Sequence, residues 1–247
     1  MTTGRYLAAG LLAATALPSA ASAGVTVTGV SGDPGFLTGR IIYTPGGIGG
    51  NAGTTSADLS IGRMKFTGFD TATAAALAFN TYCIDIFNYV QNGTFDLQTF
   101  TLGNAVKEEQ LKALLSNTAG LIGGAATLGG KKDISAAIQL AVWEIVNESG
   151  NNGYSLSGGL FQVSATHGSA ATNARALAQG YLNSLGGWSA QPGFNFSMLS
   201  AVSPANNQRQ ILFAPVPEPG TWALLIAGFG AVGGAMRRRT RTRLAYA

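Results

Sequence analysis

The sequence predicts an α+β fold: one exported domain of antiparallel strands with an inserted helical segment, followed by a C-terminal transmembrane helix. Three observations carry this. Strand-like runs stand at both ends of the exported region, helical runs lie between them, and each end of the chain bears a targeting pattern. The expected division is a signal peptide at 1–23, an exported domain at 24–214 and a sorting and anchoring tail at 215–247.

Taken in order, Val25–Thr28 alternates apolar and polar residues, as a half-buried strand does. Residues 45–55, rich in glycine, read as a loop, and Leu59–Thr67 as a further strand. Thr81–Gln91 and Thr94–Leu102 are β-rich runs that meet at Asn92-Gly93, a strong hairpin signal. Lys107–Leu115 reads as a short helix. After the glycine-rich stretch 123–130, Asp133 is placed to cap a helix running to about Glu148. That helix is apolar on nearly all sides, which marks it as a core helix. Ser169–Leu185 reads as a third helix, and Phe194–Leu199 and Gln208–Phe213 as closing strands.

At the N-terminus, Arg5 precedes an apolar run ended by Pro18, and Ala21-Ser22-Ala23 supplies the small residues that signal peptidase requires. This is the pattern of a secretory signal peptide cut before Gly24. At the other end, Thr221–Met236 is sixteen residues without a charge, bordered by Trp222 and by Arg237, Arg238, Arg239 and two further arginines. A helix of that length reaches about 24 Å, against a hydrocarbon core of about 30 Å. Its flanks favour a short span in the inner membrane, arginines inward and N-terminus outside.

The net charge of +4 belongs to the ends. Between Gly24 and Ala214 nine basic residues face ten acidic ones, so no basic stripe is available for nucleic acid. The glycine clusters lack the Lys-Ser/Thr of a phosphate loop, and no ligands stand at paired metal-binding spacing. No cofactor and no enzymatic activity are expected.

The chain has one cysteine, so no internal disulfide is available to it. Cys83 lies in Tyr82-Cys83-Ile84-Asp85, and Gln139 lies in the middle of the apolar helix, in Ile138-Gln139-Leu140-Ala141-Val142-Trp143. A buried glutamine needs hydrogen-bond partners, and an exported thiol must be shielded or used. An internal thioester between Cys83 and Gln139 would account for both. Two other readings stand beside it. One is a cysteine hydrolase using His167, the chain's single histidine. The other is a non-reactive matrix or binding protein with a buried free cysteine. Helical spacing places Ser135, Gln139 and Trp143 on one face, so Trp143 is a candidate shield. Strand alternation places Asp85 beside Cys83, as a candidate to orient an incoming amine. Glu144 is expected to be an outer polar contact.

Two resemblances follow from these residues. Pro217-Glu218-Pro219, the short glycine-containing span and Arg237–Arg239 resemble the C-terminal sorting signal of PEP-CTERM proteins. That resemblance implies processing by an exosortase and a destination at the cell surface or in an exopolysaccharide or biofilm matrix. The segments around Cys83 and Gln139, 56 residues apart, resemble those of bacterial Cys-Gln thioester domains, with Ile138 where many of these carry threonine. That second resemblance implies a surface-adhesion module that attaches covalently to an amine-bearing partner.

Overall fold

A computed structural model describes residues 24–243 except 52, 149–152 and 217–218. The signal-peptide segment, Pro217 and Glu218 therefore lie outside the described residues, as does any account of the side chains of Pro219, Trp222, Arg238 and Arg239.

Nine strands and five α-helices follow one another among the described residues: β1 (Gly24–Gly32), β2 (Leu37–Tyr43), β3 (Ser56–Ile61), β4 (Met64–Asp70), β5 (Ala76–Cys83), β6 (Gly93–Thr99), α1 (Ala105–Thr118), α2 (Leu121–Gly124), α3 (Leu128–Asn147), β7 (Phe161–Val163), α4 (Asn173–Ser184), β8 (Phe194–Ser203), β9 (Gln210–Pro215) and α5 (Pro219–Arg243). Six strands close an antiparallel barrel in the order β1-β4-β5-β9-β8-β6, and β3-β2-β7 form a separate antiparallel sheet. The expected α+β class, with the helices inserted between strands, is what the chain adopts. Phe66 and Phe95 fill the barrel, with ring centroids 5.9 Å apart.

α3 connects the two sheets. It packs on the β3-β2-β7 sheet and on the end of β5, flanked by α1, α2 and α4. Every residue from Ser135 to Ile145 is buried, as the all-round apolar pattern predicts. The helix starts earlier than Asp133. Thr127 is its N-cap, with Oγ1 accepting from the Gly130 N–H at 3.0 Å, so the glycines at 129 and 130 are helical.

Two strand expectations are corrected. The run Leu59–Thr67 is split between β3 and β4, which belong to different sheets, and it breaks at Gly62 (φ +150) and Arg63. The hairpin at Asn92-Gly93 does not form. β5 pairs with β4 and β9, while β6 pairs with β1 and β8. The pair serves long-range packing instead: Asn92 Nδ2 donates to Thr28 O at 2.9 Å, and a Cβ on Gly93 would collide with Ser203 O. β5 also stops at Cys83, which places Asp85 beyond the strand.

The tail is helical where the sequence predicts, but the expected transmembrane helix at 221–236 is not upheld. Among the described residues no helix is long and apolar enough to cross a membrane. The physical reason lies in the composition of α5: Gly228, Gly230, Gly233 and Gly234 dilute its apolar stretch, and arginines close it. Leu224, Ile226 and Phe229 are exposed.

Candidate functional site

The site forms where the end of β5 meets the middle of α3. Cys83 and Gln139 are both fully buried. The Cys83 N–H donates to Gln139 Oε1 at 2.9 Å, and Gln139 Nε2 donates to Cys83 O at 2.7 Å. The glutamine amide thus lies alongside the Cys83 backbone. This geometry answers the burial problem directly, because each half of the side chain has a partner.

The thiol has its own contacts. Cys83 Sγ donates to Asp85 O at 2.7 Å and accepts from the Asp85 N–H at 3.2 Å. Burial pushes the thiol well above its ordinary range, against the smaller opposing influence of the Asp85 backbone N–H and then of Trp143. Cys83 is therefore held as a neutral thiol. Chemically, the arrangement supplies a buried thiol, an amide carbonyl and a backbone N–H donor on that carbonyl's oxygen.

Asp85 does not share a strand face with Cys83. Its carboxylate accepts from the Phe87 N–H at 2.7 Å and from Asn88 Nδ2 at 2.8 Å, so it shapes the turn after β5. Its backbone, rather than its carboxylate, holds the sulfur. The predicted stripe on α3 does form. Ser135 Oγ accepts from the Arg63 N–H at 2.7 Å, Gln139 reaches Cys83, and Trp143 packs on Phe161 with centroids 6.4 Å apart. Trp143 also lines a cleft of about 420 Å³, together with Met64, Ile86, Asn88, Tyr89 and Gln208.

The structure adds residues that the sequence reading passed over. Thr81 Oγ1 donates to Gln210 Oε1 at 3.1 Å, Gln210 Nε2 to Gln208 Oε1 at 3.1 Å, and Gln208 Nε2 to Asp85 O at 2.8 Å. This buried polar chain ends on the carbonyl that receives the thiol. The signal was present in Gln208-Arg209-Gln210, two glutamines one residue apart at the entry to β9.

Glu144 is fully buried rather than an outer contact. Its Oε1 accepts from the Ser155 N–H at 2.7 Å, and Oε2 has no partner among the described residues. Burial chiefly pushes this carboxyl up to about 7, with nearby Glu148 adding to the rise and the Ser155 N–H and Lys107 opposing it. His167 is exposed in the loop after β7, with its N–H donating to Ser164 Oγ. Cys83 is fully buried, and the hydrogen bonds of its Sγ among the described residues go to the Asp85 backbone, not to His167.

Comparison with known proteins bears first on the tail. Residues 215–239 match the PEP-CTERM protein-sorting motif. The chain carries an exosortase sorting signal. The match implies export and processing by an exosortase, and it runs from Pro215 through α5 as far as Arg239. Among solved structures, the N-terminal thioester domain of protein F2 like fibronectin-binding protein from Streptococcus pneumoniae is similar at 11% identity and a TM-score of 0.41. That similarity covers 77% of this chain and 98% of that one. No curated protein matches the chain.

Proposed function

We propose that this exosortase-sorted protein attaches covalently to an amine-bearing surface or matrix partner through an internal thioester between Cys83 and Gln139. The observation that carries the reading is the pair of reciprocal hydrogen bonds between the Gln139 amide and the Cys83 backbone.

Formation joins Cys83 Sγ to Gln139 Cδ. The C–N bond breaks, and the thiol proton leaves with the amide nitrogen as ammonia. The Cys83 N–H, already on Oε1, stabilises the oxyanion of the tetrahedral adduct. The resulting acyl group is an electrophile shielded by Trp143 and approached through the adjoining cleft. An amine entering there opens the bond, forms an amide with the glutamine acyl group and returns the thiol. Asp85 supports the site by fixing the turn that holds Sγ.

In this account the signal peptide is removed before Gly24, and the sorting tail holds the chain at the inner membrane until processing. Treatment with methylamine followed by peptide mapping tests the covalent reading. One adduct is expected at Gln139 with a newly reactive Cys83; an unmodified Gln139 would count against it.

A further inference from the structure

Trp143 stands one helical turn after Gln139, on the same face of α3. Its side chain is 2% exposed, and it forms part of the inner wall of the cleft. Despite that burial, the indole Nε1–H has no acceptor among the described residues. Leaving a buried donor unpaired is costly, and a buried indole ordinarily finds a partner. An exception beside a reactive pair calls for an explanation.

Gln139, one turn earlier on the same face, is bonded to the Cys83 backbone, so Trp143 stands on the side of α3 that meets Cys83, and its N–H makes no hydrogen bond to the neutral thiol. A neutral thiol is a weak acceptor, and this one is already engaged by the Asp85 backbone. A thiolate is a far stronger acceptor. The donor is therefore placed for a charge that exists only while the Cδ–Sγ bond is breaking.

We propose that the Trp143 Nε1–H stabilises the Cys83 thiolate as it departs from the Gln139 acyl group during opening by an amine. This rests on the thioester reading above. The amine nitrogen attacks Gln139 Cδ, and the negative charge on Oε1 is held by the Cys83 N–H. The adduct then collapses, the Cδ–Sγ electron pair passes to sulfur, and the proton shed by the amine nitrogen ends on Sγ. An amide and a free thiol result. Burial disfavours a bare thiolate here, which makes sulfur departure the step most in need of a donor.

The role differs in sign from shielding. Removing a shield speeds opening by a small amine, whereas removing a leaving-group donor slows it. The test compares the full-length protein with Trp143→Phe and with 3-benzothienylalanine at position 143, which exchanges the N–H for sulfur in a ring of nearly the same shape. Intact mass first establishes the bond in each. Opening by methylamine, followed as free thiol, should slow on the order of tenfold in both variants. The released thiol should titrate higher, as read from thiolate absorbance. Equal or faster opening in variants that carry the bond overturns this inference alone. Loss of the bond in the Phe variant with full retention and normal rates in the benzothienyl variant also overturns it, because ring shape would then be the requirement. Absence of the bond in the wild type overturns the thioester reading, and this inference with it.

Discussion

Gln139 and Cys83 are joined by two hydrogen bonds between a side-chain amide and a backbone, 2.9 Å at Oε1 and 2.7 Å at Nε2. This pairing ties the middle of α3 to the last residue of β5, and so ties the helical insertion to the barrel. It gives the glutamine a structural role. Relative to the free-thiol form, Gln139→Ala leaves two buried backbone groups of Cys83 without these partners and opens a small cavity. A loss of about 3 kcal/mol in urea unfolding is expected. Cys83→Ala keeps both backbone groups and should cost less.

Gln208 links the polar chain of β9 to the carbonyl that receives the thiol, through a 2.8 Å bond to Asp85 O. Gln208→Leu should loosen the turn after β5 and cost about 1–2 kcal/mol. Any free thiol in the population should also react faster with a maleimide in the native state. Unaltered labelling would mean that the Asp85 turn holds its shape without this support.

Glu144 gives the stability a pH dependence of defined sign. Its carboxyl is held up to about 7, chiefly by burial, against an ordinary value of 4.5. The folded state thus binds this proton more tightly than the unfolded state. Its favourable contribution is fully present below about 4.5 and is lost as pH rises toward and through about 7. The wild-type melting temperature should fall across that window, and Glu144→Gln should flatten this fall by several degrees. Parallel profiles for the two proteins would contradict the assignment.

The class of the fold was legible in the sequence because strand alternation and the apolar run of α3 are local patterns. Strand partners were not. Asn92-Gly93 carries hairpin chemistry, but the flanking segments find stronger long-range partners in β1, β8 and β9, and the turn at Asp85 ends β5 early. The pairing of Cys83 with Gln139 could be anticipated, since each is an awkward group to bury alone. The contribution of Gln208 and Gln210 could not, because it depends on β9 returning beside β5. Glu144 was misplaced for a related reason: helical spacing gives its angle from Gln139, but not that α3 is covered on that side by the segment containing Ser155.

The sorting tail makes a prediction independent of the thioester. Deleting residues 219–243 should release the exported domain into the soluble fraction, and mature protein should begin at or near Gly24. Continued recovery with membranes would require another anchor, and a retained Met1 would exclude cleavage.

The covalent bond itself is tested most directly by the intact mass of freshly purified, unboiled protein kept free of amines. The account predicts a mass lower than that of the processed sequence by one ammonia, restored with one added methylamine on treatment and absent in Cys83→Ala and Gln139→Ala. Full mass in the fresh wild-type protein, with a thiol that reacts only on unfolding, would contradict it and identify Cys83 as an inert buried cysteine in a matrix protein.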